Sequence, residues 1–210
     1  MNSPDEKIFH LRPVPVRNTD GERPFVMMYH GSIVERHGLD LAVHALKKVR
    51  LAIPNARLKV CGRRNAFLDK VSEEVRAAGL EDAVEFLGPK THEQIAEEID
   101  RSDVGIIPNR KSIFTELNTP TRIFEYLSRG KPVIAPAAPG IQDYFTKEQL
   151  FFFELGNAED LANQIEHVYS NPEEAHQMVL AGQDVYRQHL WNCERARFVG
   201  AVANLVKRRP

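Results

Sequence analysis

The sequence predicts an α/β domain, a doubly wound parallel sheet of the Rossmann-like kind, and three observations carry that expectation. Short apolar runs alternate with segments whose apolar residues fall three and four apart, the pattern of successive βαβ units. The turns after the first three runs open on Gly31, Gly62 and Gly88, where backbone can come close to a ligand. The 210 residues, 42% hydrophobic and 27% charged, suit one well-filled core, being few for two and too apolar for general disorder.

Residues 1–24 are rich in Pro, Asp, Asn and Arg and lack periodicity, so they are expected to be a linker or extended lead-in. Within them Ile8, Phe9 and Leu11 are ready to pack. Strands are expected over 25–29, 57–61, 84–87, 104–107, 132–135 and 151–153. Leu39, Leu41, Ala42, Ala45, Leu46 and Val49 line one face of a helix that Pro54 ends. Similar helices fit 67–78, 92–102, 121–129 and 158–169. The tail from 172 to 207 forms two more, broken near Leu190 and Trp191 and opened by Asn171 and Pro172. Phe151 to Phe153 form a continuous apolar run of the sort a strand buried on both faces requires. Trp191 is expected to anchor the last helices by packing. Residues 25–210 thus make one domain.

Composition excludes several functions. The 28 basic and 29 acidic side chains nearly cancel, which removes the electrostatic footprint of a nucleic-acid binder. Cys61 and Cys193 are far apart, with neither metal-ligand spacing nor a disulfide framework, so two buried free thiols in a reducing, cytoplasmic compartment are expected. No apolar run approaches a membrane span and no signal-peptide pattern opens the chain. A soluble domain follows, one that can still work at a membrane surface.

In a sheet wound this way the ligand site lies outside the carboxyl ends of the strands, at the topological switch point. Two segments there carry chemistry. In His30-Gly31-Ser32-Ile33-Val34-Glu35-Arg36-His37-Gly38, Gly31 admits an anion to the backbone and Gly38 stands at a helix N-terminus. Arg36 adds a fork of donors suited to phosphate. An ordinary strand-to-helix loop with a solvated Arg has the same appearance. In the run from Asn118 to Ile134, Pro120 and Thr121 start a helix that Gly130 caps, which sets Glu125 in its opening turns. A carboxylate there can accept both hydroxyls of a ribose; it can also be present for the helix dipole alone.

These residues resemble the retaining GT-B glycosyltransferases of group 1. The run Pro120 to Ile134, with its Glu-Tyr-Leu and Gly-Lys-Pro-Val-Ile, is similar to that family's donor-site segment. The similarity extends through Gly31 to Gly38, Leu58 to Gly62, Val84 to Gly88, Asp103-Val104, Pro139 to Asp143 and Ala158 to Ala162. Even Asn2 to Asp5 with Phe9 looks like the segment entering this domain from an N-terminal one. The resemblance implies the C-terminal, donor-binding half of a GT-B enzyme that transfers a sugar, with retention, from a nucleotide-diphosphate sugar. The acceptor, whether a sugar, a lipid-linked group or another, would be held by an N-terminal domain not in this chain, and the isolated half would be inactive. Polysaccharide biosynthesis is the implied setting, and the full-length protein may be expected at a membrane surface.

Carried over position by position, Glu125 matches the family's ribose ligand, and the loop of Gly31, Ser32 and Arg36 matches the segment facing the diphosphate. Apart from that match, Gly62 with Arg63 and Arg64 can line the base or phosphate region or be two solvated charges, Gly88-Pro89-Lys90 can let backbone groups read the nucleobase, and Thr121 and Arg122 open the Glu125 helix. Gly140 and Asp143 would approach the sugar, or mark a turn and an N-cap. Two departures stand out. The family often has Glu eight residues before its ribose Glu, where this chain has Leu117 and the nearest carboxylate is Glu116, the one candidate for a catalytic group. It also often has Arg and Lys where Ser32 and His37 stand, so Arg36, with Arg122 or Lys111, is expected to supply the charge; a protonated His37 can also donate to phosphate. No Asp-x-Asp pair is visible, and donor binding without metal or other cofactor is expected. A sugar-nucleotide epimerase half and a non-catalytic nucleotide-binding module are the alternatives.

Overall fold

The computed structural model describes residues 3–16 and 23–207. Six parallel strands form one sheet in the order β3-β2-β1-β4-β5-β6. They are β1 (Val26–His30), β2 (Arg57–Cys61), β3 (Val84–Gly88), β4 (Val104–Ile106), β5 (Val133–Pro136) and β6 (Phe151–Phe153). Between them run α1 (Leu39–Ala52), α2 (Ala66–Ala77), α3 (His92–Asp100), α4 (Ile113–Leu117), α5 (Arg122–Ser128) and α6 (Pro139–Gln142). Then follow α7 (Ala158–Ser170), α8 (Pro172–Gln188) and α9 (Trp191–Lys207). The doubly wound α/β fold expected from the sequence is the fold observed.

Alternation along β1 shows why the sheet is covered twice. Met27 and Tyr29 join α1, α2 and α7 in one apolar cluster, whereas Met28 joins α3, α5 and α8 in another. Successive side chains point to opposite faces, so a strand with helices on both sides must be apolar throughout. Phe151 and Phe153 are buried, but Phe152 between them is half-buried, because β6 is the edge strand of the sheet. The sequence pattern did not indicate α4 or α6. Each is about one turn, too short for periodicity: α4 is opened by a Ser112–Thr115 capping box, and α6 by Pro139.

The described part of the lead-in packs onto the domain. Phe9 is buried, with Ile8 and Leu11 against the same cluster. Gln183 Nε2 donates to the carbonyls of Arg12 and Leu127, both at 2.9 Å, and Arg12 N donates to Ser128 O at 2.8 Å. Gly130, at φ 72 beyond the end of α5, lies so close that a Cβ there would sit 2.8 Å from Pro13 O. The remainder of the expected lead-in, residues 1–2 and 17–22, and residues 208–210 of the expected domain lie outside the described residues.

Two expectations about the tail need correction. Cys61 is buried but Cys193 is exposed, so the pair are not two core thiols. Trp191 is 50% exposed and lines a surface depression with residues 3–7, and so does not anchor the last helices in the core. Both belong to a helix that is exposed along most of its length: of residues 191–200 only Glu194 is buried, and Phe198, Val199, Leu205 and Val206 also face solvent. Among the described residues no helix is long and apolar enough to cross a membrane.

Candidate functional site

The switch point falls between β1 and β4, the pair from which the chain winds out in both directions. Glycines bring its loops together. A Cβ on Gly62 would lie 2.6 Å from Gly31 O, so the turns after β1 and β2 meet backbone to backbone, and Gly31 N donates to Cys61 O at 3.0 Å. Gly38, left-handed at φ 65, closes the 3₁₀ turn Glu35–His37 and stands as N-cap of α1. A Cβ on it would lie 1.8 Å from Pro108 O, where any side chain clashes. The loop after β1 is thereby fastened to the loop after β4, and Arg110 adds an ion pair with buried Asp40.

A cleft of about 280 Å³ opens beside this junction. Seven of the ligand-site candidates singled out in the sequence line it, namely Gly31, Gly62, Arg63, Pro89, Lys90, Arg122 and Glu125. Arg63, Lys90 and Arg122 supply positive charge against the single carboxylate of Glu125, a balance suited to an anionic ligand. Arg122 is held from two sides. Its Nη1 donates to His30 O at 2.7 Å, and its guanidinium lies 5.1 Å from the Tyr29 ring centroid.

Glu125 forms part of the floor, with its side chain 17% exposed. Burial pushes its carboxyl up to about 7, with the Arg122 charge acting the other way. Its Oε2 lies 3.3 Å from His30 Nε2. That separation is within ion-pair range, yet Nε2 is buried and has no hydrogen-bond partner, so the two groups touch without being aligned. Burial holds His30 well below the ordinary histidine range, and the charges of Arg122 and His92 push the same way. A neutral imidazole makes this a polar contact and not a salt bridge. Cys61, also in the cleft, is an inert thiol, raised by burial to about 11.

The remaining candidates are elsewhere. Arg36 is exposed and stacks over Phe114, 4.9 Å from the ring centroid, outside the residues lining the cleft. Ser32 is exposed, and its carbonyl accepts from Tyr29 Oη at 2.8 Å and from His37 Nδ1 at 2.9 Å. A carbonyl can only accept, so Nδ1 carries the proton and the neutral ring offers Nε2 as an acceptor. Burial lowers the His37 pKa, Ser32 O opposes it, and Arg122 and Arg36 lower it further. In the free site His37 is therefore a poor source of positive charge for phosphate. Thr121 is the N-cap of α5 and makes no side-chain capping bond.

Glu116 faces a second depression with Lys111, Pro139, Glu154 and Asp160, its Oε1 4.0 Å from Lys111 Nζ. Gly140 packs against the end of α4, where a Cβ would lie 2.4 Å from Leu117 O, and Thr119 Oγ1 donates to Gly140 O. Leu117 is 71% exposed. Asp143 is the C-cap of α6 and exposed, which corrects its expected role as an N-cap: Pro139 fixes the helix start four residues earlier. Arg64 is exposed and pairs with Asp69 at 2.7 Å.

One residue of the cleft was missed in the sequence. His30 was absorbed into a strand and loop read for its glycines; a histidine closing a buried strand directly before Gly31 was the available signal. Among the described residues no group of three or more His, Cys, Asp or Glu is placed to hold a metal ion.

A six-stranded parallel sheet in this order, with a cleft beside its switch point, is the doubly wound class of α/β domains. Comparison gives the family. Residues 15–185 match the family described as glycosyl transferases group 1, and the chain belongs to it. No curated protein matches significantly. Among solved structures, Anabaena Alr3699/HepE in complex with UDP superposes with a TM-score of 0.80 at 17% identity, over 97% of this chain and 56% of that one. Sucrose-phosphate synthase (tll1590) from Thermosynechococcus elongatus superposes at 0.81 and 22% identity, over 99% of this chain and 52% of that one. The C-terminal domain of a group 1 glycosyl transferase family protein (LpcC) from Francisella tularensis superposes at 0.70 and 16%, over 89% and 97%. The chain thus spans about half the length of the first two and nearly all of an isolated C-terminal domain.

Proposed function

We propose that this domain binds the nucleotide-diphosphate sugar of a retaining glycosyltransferase, with the acceptor and the rest of the catalytic machinery on a partner domain. The observation that carries this reading is Glu125, an acidic side chain on the floor of a cleft otherwise lined by Arg63, Lys90 and Arg122. In the ionised form its two oxygens accept the two ribose hydroxyls. The cations and the backbone around Gly31 and Gly62 face the diphosphate, as donors placed to stabilise a departing anion. Arg36, at the mouth of the same loop, would swing from Phe114 to reach it. The UDP complex of Alr3699/HepE makes uridine diphosphate the first ligand to try.

Calorimetry with uridine diphosphate tests the reading. Binding is expected to survive a chelator, because the positive charge comes from side chains; binding that vanishes would overturn the metal-free site. Leu117, exposed where the family often has Glu, favours a second reading, a non-catalytic nucleotide-binding module. Sugar transfer by the protein with its acceptor-binding domain would exclude that. The isolated chain is expected to transfer none, and turnover by it at about 1 s⁻¹ or faster would refute the half-enzyme reading.

A further inference from the structure

We propose that His30 is a positioning residue for the donor: it shares a proton with Glu125 in the free site, and that proton leaves when Glu125 takes the ribose hydroxyls. The inference rests on the ribose assignment of Glu125 made above and adds a residue and a coupling to it.

The geometry begins with an unsatisfied atom. His30 Nε2 is buried, 3.3 Å from Glu125 Oε2, and makes no hydrogen bond. Leaving such an atom unpaired is costly, and a small rotation of the Glu125 carboxyl removes the cost. His30 cannot move away instead. Its ring stands edge-on to Tyr126 with centroids 5.0 Å apart, Tyr126 Oη donates to Met28 O at 2.8 Å, and the His30 carbonyl is held by Arg122.

The surrounding groups decide where the proton sits. Arg122 faces the pair from α5, His92 from α3, Arg63 and Lys90 from the loops after β2 and β3, and Cys61 from β2; Tyr126 is buried beside His30. Glu125 is the single carboxylate in this lining. Burial favours the uncharged form of each partner, which raises the acid to about 7 and lowers the imidazole. Below that pH the free pair holds one proton on the carboxyl, which can donate to Nε2. When the ribose binds, its two O–H groups donate to the carboxylate and the proton passes to solvent. The neutral ring serves both states, accepting at Nε2 from the acid and, as the other tautomer, donating from Nε2 to the carboxylate.

The test compares uridine diphosphate with its 2′,3′-dideoxy analogue on the whole chain. Their terminal phosphates also titrate near pH 6, and the ratio of the two affinities cancels that contribution. Ionised Glu125 rises from roughly a tenth to nine tenths of the free protein between pH 6 and 8, so the ratio is expected to grow about tenfold. At pH 6, in two buffers of different ionisation heat, the ribose form should release nearly one proton more than the analogue. His30→Phe, which loses the nitrogen, should shift the pH at which the ratio levels off, whereas His30→Gln, which keeps a donor and an acceptor, should restore it. A ratio above one that does not change with pH overturns the coupling while leaving Glu125 on the ribose. A ratio of one at both pH values removes the ribose assignment itself. Profiles for both variants that match the native chain overturn the role of His30. The native measurement needs no variant, and it decides the coupling even if His30→Phe does not fold.

Discussion

The cleft under α5 and the rim built from α4 and α6 share the carboxyl edge of one sheet, and they are made differently. In the cleft Arg122 is held by His30 O and Tyr29, and behind it Tyr126 is held by Met28 O. The rim presents Ile113, Phe114 and Leu117 to solvent, 80%, 52% and 71% exposed. A preorganised cleft loses little freedom when it binds, so its contacts can appear as affinity. In the rim the bonded polar groups, such as Thr115 Oγ1 on Arg110 O and Thr119 Oγ1 on Gly140 O, fasten the backbone, and Leu117 stands exposed where the resembling family often has Glu.

The largest effect should come from the tie that makes both regions possible. Gly38→Ala forces a Cβ against Pro108 O at a left-handed position and should cost about 3 kcal/mol or more in urea unfolding. A loss below about 1 kcal/mol would mean that the loops after β1 and β4 adjust freely.

Glu125→Gln separates binding from folding. The unfolded carboxyl titrates near 4.5 and the folded one near 7, so the folded chain holds the extra proton between those values and stability falls as the pH rises through them. The substitution should therefore stabilise the fold at pH 8, on the order of 2–3 kcal/mol, and flatten the decline between pH 4.5 and 7. It should also weaken uridine diphosphate by roughly 1–3 kcal/mol. A fold no more stable at pH 8 than the native one would show that the carboxylate is comfortable where it lies.

Arg36→Ala probes the border between the two regions. Stacked on Phe114 and exposed, Arg36 should contribute about 1 kcal/mol to binding the diphosphate and less to the nucleoside. Equal losses for both ligands would show that it does not face phosphate. The smallest effect belongs to the rim, where Ile113→Ser with Leu117→Ser should leave thermal stability within about 0.5 kcal/mol.

How far the sequence reached follows from the length of its signals. Each strand is a short apolar run between turns and each long helix repeats a period near 3.6, so all six strands and the long helices were legible to within a few residues. The one-turn elements α4 and α6 were not, since their signals are a capping pair and a proline. Glu125 was found because it sits in a recognisable helix start. His30 was not, because its importance depends on lying 3.3 Å from a residue 95 positions later, a proximity that β1 and α5 create only when packed. Arg36 was singled out by charge and loop position, but neither can tell that its guanidinium rests on Phe114.

The central claim is that Glu125 in the cleft takes the ribose hydroxyls of a nucleoside diphosphate. The most direct test is the affinity of uridine diphosphate and of its 2′,3′-dideoxy analogue at pH 8, for the native chain and for Glu125→Gln. The native chain should bind the ribose form more tightly, by roughly 1–3 kcal/mol, and Glu125→Gln should hardly distinguish the two. Equal binding of both ligands by the native chain would contradict the claim.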